Sequence, residues 1–209
     1  MSGRFSDVVN WLLALLVVCA VCIVCIGISF FLTLNISVLF LHVGNVWHGY
    51  VGSQVMADYR RVLTYLQWVP AGLHFQTLPM SRHAALHFVD VKRLVVELQA
   101  LTLISFLTGG FGIHYAKKNY QLWRLAVLFP RVLALLLVIC LMLYLSFNDS
   151  FILMHHLLFN NSYWVFSSRT DPIILLLTPS FFAKLFACWS VLSLVASALC
   201  WRRIIKLLN

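Results

Sequence analysis

Four long stretches of apolar side chains alternate with shorter mixed ones: about Val8 to Leu34, Leu94 to Tyr115, Leu122 to Phe147 and Pro179 to Trp201. Each reaches the roughly 20 residues that a helix needs to cross a hydrocarbon core of about 30 Å. Backbone groups in such a core must bond within their own element, so runs of this length predict transmembrane helices. The first run follows Arg4 and opens like a signal peptide. It is too long for one, and it lacks a small-residue cleavage site followed by polar sequence. It is therefore read as a helix.

Polar and aromatic residues return in two segments, about Asn35 to Arg93 and about Asn148 to Thr178. The first carries Trp47, Tyr50, Tyr59, Tyr65, Trp68 and Phe75, the second Phe159, Tyr163, Trp164 and Phe166. Amphipathic rings of this kind suit the headgroup layer of a membrane. Val55 to Val69 fits a helical or a mixed pattern. Pro70-Ala-Gly72 and Leu78-Pro79 are breakers, and Ser81 can cap a helix that starts near Arg82 and runs straight into the second span. No repeat or low-complexity linker divides the chain. The expected fold is all-α: a single membrane domain over residues 1–209, with four transmembrane helices and an extracytoplasmic cap made by the two outer segments.

Composition agrees, since 62% of the 209 residues are hydrophobic and only 10% are charged, which excludes an ordinary soluble domain. Charge then assigns sides. Arg4 precedes the first span, Lys117, Lys118 and Arg124 stand between the second and third, and Arg202, Arg203 and Lys206 follow the fourth. Basic residues in short flanking loops favour the cytoplasm, so both termini are placed there and the two long segments outside. Arg60, Arg61, Lys92 and Arg93 fall on the outer side, where a loop of this length translocates largely regardless of charge. The net charge of +9 is mostly a topology signal, and no soluble basic domain is present to bind nucleic acid.

Cys19, Cys22 and Cys25 repeat at intervals of three, and Cys140, Cys188 and Cys200 also fall within spans. Thiols on an apolar helix behave as small hydrophobes, and neither outer segment contains a cysteine that could form a disulfide. The candidate chemistry lies elsewhere. His155 and His156 occupy the run Phe151-Ile-Leu-Met-His-His-Leu-Leu-Phe159 just beyond the third span. Imidazole titrates near neutral pH and is costly to place at a membrane edge without a task. A second constellation, His83, His87 and Asp90, is spaced by four and then three along the helix capped by Ser81, which puts all three on one face. A carboxylate at that offset can orient one imidazole nitrogen and leave the other free as a base. The same histidines also permit a zinc hydrolase, with His83, His87 and either His155 or His156 as ligands, although Ala84 stands where a zinc-helix motif would place glutamate. A non-enzymatic scaffold or transport subunit would call for ionisable groups inside the spans; Arg131 and Lys184 lie near span ends and His114 at a cytoplasmic edge.

Two blocks, Leu86-His-Phe-Val-Asp-Val-Lys-Arg-Leu94 and Met154-His-His-Leu-Leu-Phe-Asn-Asn-Ser-Tyr-Trp164, resemble the lipoprotein intramolecular transacylase (Lit) family of Gram-positive bacteria. The second block continues through Asp171-Pro-Ile-Ile174 to Thr178-Pro-Ser-Phe-Phe182, and Met154 stands where the family pattern has phenylalanine. The resemblance implies a cell-membrane acyltransferase that acts, without a cofactor or metal and as a monomer, on diacylglyceryl-modified lipoproteins at the outer face of the membrane. It would move the sn-2 acyl chain to the α-amine of the substrate's own N-terminal cysteine and leave a lyso-form lipoprotein. The catalytic histidines would be His87 and His155, with Asp90, His156, Asn161, Trp164 and Asp171 supporting them or binding substrate. Because the substrate carries its own nucleophile, the enzyme needs only a base, an acid and an oxyanion donor. His87, held by Asp90, is the expected base, His155 the expected acid, and Asn161 or a backbone amide the expected donor.

Overall fold

The computed structural model describes residues 2–68 and 72–208, with side chains from Ser6 onward. Pro70 and Ala71 of the expected breaker, and the side chain of Arg4, lie outside the described residues. Six α-helices dominate: α1 (Ser2–Ile36), α2 (Gly52–Gln67), α3 (Arg82–Lys118), α4 (Leu122–Leu145), α5 (Phe147–Leu158) and α6 (Pro179–Lys206), joined by short 3-10 turns at Ser37–Phe40 and Pro172–Leu175. Four of them, α1, α3, α4 and α6, are long and apolar enough to cross a membrane. Each predicted span lies within one of these helices, except that the third ends at Leu145 and a break at Ser146 starts α5. One small hairpin joins the helical set: β1 (Val46–Trp47) pairs antiparallel with β2 (Tyr50–Val51). At its turn both His48 (φ 47) and Gly49 (φ 86) have positive φ, as the favoured two-residue hairpin turn requires.

The described chain groups into two compact units, one of Met1–Phe31, Gln99–Leu143 and Cys188–Asn209, the other of Leu32–Leu98 and Tyr144–Ala187. The first has a core of Val18, Cys22, Cys25, Leu125, Phe129 and Ile204. Its α1 and α3 approach closely at small residues. A Cβ on Gly27 would lie 2.0 Å from Thr102 Oγ1, and one on Gly112 would lie 2.2 Å from Val17 Cγ2, the close packing that stands in for a hydrophobic driving force between spans. The cysteines pack as expected: Cys22 and Cys25 are buried, Cys25 Sγ is 3.7 Å from Cys200 Sγ, and all six are free thiols. Arg124 departs from expectation. It is not a loop residue but lies in the first turn of α4, only 6% exposed, with Nη2 donating to Asp7 Oδ1 at 2.5 Å and Nε to Gln121 Oε1 at 2.5 Å. The rings of Trp11 and Trp123 flank its guanidinium at 4.9 and 4.7 Å. A buried cation is tolerated when it is paired in this way.

In the second unit α2 is amphipathic, with Val55, Tyr59, Val62, Leu63 and Leu66 buried along one face. Tyr59 and Leu63 pack with Phe181 of α6, and the Tyr59 hydroxyl lies 2.6 Å from Ser37 Oγ. The firmest tie is Asp58, which is fully buried. Its Oδ1 accepts the Gln76 amide at 2.8 Å, and its Oδ2 accepts those of Thr77 and Leu78, each at 2.9 Å. Arg61 Nη1 adds a charged bond at 2.6 Å. Four donors fill the carboxylate and fasten the segment before α3 to α2. The α6 helix begins with Pro179 after Thr178, whose Oγ1 accepts the Phe181 amide at 3.2 Å, a cap followed by the residue best suited to the first helical position.

Candidate active site

Ser81 starts the site. Its Oγ accepts the Ala84 amide at 3.1 Å, the expected cap for α3. Its own amide donates to Asp171 Oδ1 at 2.6 Å, while Thr170 Oγ1 donates to Asp171 Oδ2 at 2.7 Å. Asp171, 3% exposed, therefore joins the turn before Pro172 to the start of α3 and acts as a structural anchor.

About a turn and a half further along, and before the apolar run that starts at Leu94, His87 is 8% exposed, as is His155 on α5. Their ring centroids lie 6.0 Å apart with the planes at 32°. The two histidine blocks, distant in sequence, thus meet. Aromatic rings enclose the pair: Phe159 and Phe166 stand edge-on to His87 at 4.9 and 5.6 Å, and Phe151 and Trp164 lie tilted against His155 at 4.3 and 4.8 Å. His156 points away as adjacent helical positions must. It is exposed, and its ring meets Trp164 at 5.3 Å and 89°.

The polar connections differ from those expected. His155 Nδ1 donates to the Phe151 carbonyl at 2.7 Å; since a carbonyl only accepts, this fixes the tautomer and leaves Nε2 with the lone pair in the neutral ring. His87 Nδ1 is buried and has no hydrogen-bond partner. Asp90 makes no hydrogen bond to His87; its Oδ2 accepts from Asn161 Nδ2 at 3.1 Å. Asn161 makes two further bonds: Oδ1 accepts the Tyr163 amide at 3.0 Å, and its main-chain carbonyl accepts Trp164 Nε1 at 3.1 Å. With one Nδ2 hydrogen on Asp90 and Oδ1 on the Tyr163 amide, the side chain braces the turn that carries Trp164.

Burial pushes the His87 pKa down to about 4, the charge on a protonated His155 adds to this, and the Asp90 carboxylate opposes it with less effect. Burial also lowers that of His155, opposed by the bond to the Phe151 carbonyl and helped by His156. Both rings are therefore neutral near pH 7. The Asp90 carboxylate does raise the basicity of His87, as expected, but burial and His155 outweigh it. His83 is exposed and lies against the Tyr163 ring at 4.9 Å. Among the described residues no three His, Cys, Asp or Glu side chains gather as a metal-ligand set, so the zinc triad considered above is not assembled. Phe159 and Phe166 as walls of the His87 site, and Asp58 as an anchor, were not legible as such. The two phenylalanines read as part of a general aromatic belt, and only their close sequence spacing to His155 and Trp164 hinted at more.

The fold and this site define a polytopic membrane protein that keeps a pair of neutral histidines in an aromatic box, a class equipped for proton transfer. A family model for the lipoprotein intramolecular transacylase Lit matches residues 8–182, and the chain belongs to that family. Among solved structures it is similar to the membrane integral lipoprotein intramolecular transacylase Lit from Bacillus cereus, with 26% identity over 96% of this chain and 97% of that one and a TM-score of 0.79. Two variants of the same protein, with one histidine replaced by arginine or by alanine, match at 25% identity and a TM-score of 0.76, covering 98% and 99% of this chain and 96% and 98% of theirs. No curated protein matches the sequence. The chain is thus a multi-pass membrane enzyme, a lipoprotein intramolecular transacylase.

Proposed function

We propose that the enzyme moves the sn-2 acyl chain of a diacylglyceryl-modified lipoprotein to the α-amine of that lipoprotein's N-terminal cysteine, and that His87 and His155 carry the proton. The amine attacks the ester carbonyl and forms the C–N bond. His155 Nε2, held ready by the Nδ1 bond to the Phe151 carbonyl, accepts the proton the amine loses. That proton reaches the glyceryl oxygen by way of His87 as the C–O bond breaks. One proton moves from nitrogen to oxygen, and both rings return to their neutral state. The low pKa of His87 makes it a brief holder and a strong donor. This reverses the order suggested by sequence, because the tautomer of His155 is fixed and that of His87 is not.

The observation that carries the reading is the 6.0 Å separation of the two rings. The nitrogen and oxygen of one tetrahedral centre can each face one ring at that spacing. The aromatic box supplies the tight enclosure that gives an intramolecular reaction its advantage, of the order of several kcal/mol. Asn161 and Asp90 position Trp164, and Asp171 positions the start of α3. We place both termini in the cytoplasm and the histidines at the outer face, from the basic residues flanking the spans, with the enzyme acting as a monomer.

The test is product identity. In cells that make only diacylglyceryl lipoproteins, expression of this chain should yield an N-terminal peptide acylated on the cysteine nitrogen with one chain left on the glyceryl group, read by mass spectrometry. An unchanged diacylglyceryl product overturns the reading.

A further inference from the structure

Three of the outer-segment cations that run against the positive-inside pattern, Arg60, Arg61 and Lys92, gather at one place, while Arg93 pairs with Glu97. Beside α2 is an open groove of about 420 Å³ lined by Arg60, Arg61, Thr64 and Tyr65 from the helix and by Gly72 and His74 from the following segment. Its volume lies within the range of small-molecule sites. None of the described residues that line it is acidic. A third cation stands at its wall, with Lys92 Nζ 4.2 Å from the centroid of the Tyr65 ring. None of the residues lining the groove is among those that enclose His87 and His155.

Solvated arginines on a helix face are common, and two features separate this groove from that case. Arg61 is clamped: Nη1 bonds the buried Asp58 carboxylate and Nη2 bonds Gln76 Oε1. A guanidinium has five N–H groups, so a planar donor is left aimed with most of its rotamer freedom already spent. Asp58 itself takes the amides of residues 76–78, so the carboxylate is saturated and the strand of chain bearing His74 is held to the same helix. The second feature is Trp68, which closes α2 one turn beyond Thr64 and is 71% exposed. In a membrane-integral protein an exposed indole belongs at the headgroup layer, the depth at which lipid phosphates lie.

We propose that this groove is a binding site for the phosphodiester of an anionic phospholipid headgroup, held by Arg60, Arg61 and His74 with Lys92 adding charge. Paired guanidinium groups match the tetrahedral oxygens of phosphate; Thr64 lines the groove on the same helical face as Arg60, but its O–H is spent on the Arg60 carbonyl at 3.0 Å and is not a donor to the headgroup.

The experiment measures thermal unfolding of the full-length protein in a non-ionic detergent. Dihexanoyl phosphatidylglycerol should raise Tm in a saturable way, whereas dihexanoylglycerol, which lacks the phosphate, should not. Arg60→Gln and, separately, His74→Gln should weaken the phospholipid effect by about tenfold or more, as loss of a charged hydrogen bond implies. Inorganic phosphate forms the third arm. A Tm rise with phosphate equal to that with the lipid, and lost in the same variants, supports the site and assigns the free ion as occupant; a rise with the lipid alone supports the headgroup. Equal shifts from dihexanoylglycerol and the phospholipid overturn the proposal, as does a phospholipid effect that both variants retain. The two lipids compared on the unaltered protein decide the point even where a variant does not fold.

Discussion

His155 and His156 are neighbours in the chain with opposite environments, one 8% exposed in the aromatic box and one exposed beside Trp164. The helical rotation between them was readable from sequence; the pairing of His155 with His87 was an expectation from the family resemblance, and spacing alone could not show that the ring centroids lie 6.0 Å apart. The hydrogen bonds were not readable either, because spacing places Asp90 on the His87 face but does not show that Asn161, 71 positions away, claims its carboxylate. Replacing either His87 or His155 by alanine should lower conversion by about 10²- to 10⁴-fold, the range for loss of a positioned proton carrier, with the protein still present in the membrane. His156→Ala should retain most of the activity. The acid limb of kcat/KM should lie below pH 6.5, since burial depresses both imidazoles. Stability carries the same sign. The unfolded chain takes up a proton at His87 near pH 6.5 and the folded chain only near 4, so the contribution of neutral His87 is complete above 6.5 and is lost as pH falls towards 4. Equilibrium unfolding between pH 7 and 4 checks this, and His87→Phe should flatten the dependence.

Elements were predicted best where apolar runs are long. The spans fell inside α1, α3 and α6 and, save for the last two residues of the third, inside α4, and Ser81 caps α3 as its position suggested. What escaped was structure set by a few specific bonds. The two-residue strands of the hairpin bury too little to leave a pattern, and the turn at His48 and Gly49 rests on backbone dihedrals. Val55 to Gln67 lies in α2, and Val69 lies outside the described residues; one polar residue of the helix, Asp58, faces inward to bond a distant loop, which blurs the amphipathic signal. Asp58→Ala should cost about 3 kcal/mol or more, because it strands buried amides and the Arg61 charge together. Thermal unfolding against the unaltered protein measures it. Asn161→Ala should leave the protein folded but reduce kcat more than it raises KM, since it removes the side-chain bonds to Asp90 and the Tyr163 amide that brace the turn carrying Trp164. An unaltered kcat would remove Asn161 from its positioning role.

For the whole molecule, composition and flanking charge carried the class: a four-span membrane protein was legible from hydrophobic runs alone, and the histidine blocks pointed to the family that the comparison establishes. Division into two compact units was not legible, since no linker marks it. In the first unit the close approach of α1 and α3 at Gly27 and Gly112 leads to a stability prediction. Gly112→Leu should destabilise by about 2 kcal/mol through overpacking against Val17, seen as a lower Tm in detergent. Under the proposed topology, a cysteine introduced at the exposed Ser168 should react with a membrane-impermeant maleimide in intact cells. Protection there, with labelling only after lysis, would reverse the orientation.

The box around His87 and His155 is walled by Phe151, Phe159, Phe166 and Trp164 and presents no anion bonded to either ring. Such walls offer no carboxylate to hold a charged terminus, and only the free amine, favoured above a pKa of about 8, carries the lone pair that attacks the ester carbonyl. Sensitivity to alkaline conditions should then belong to the lipoprotein and not to the enzyme. Shifting the basicity of the substrate's terminus should move that limb of the rate profile by the same amount, with every residue of the transacylase unchanged.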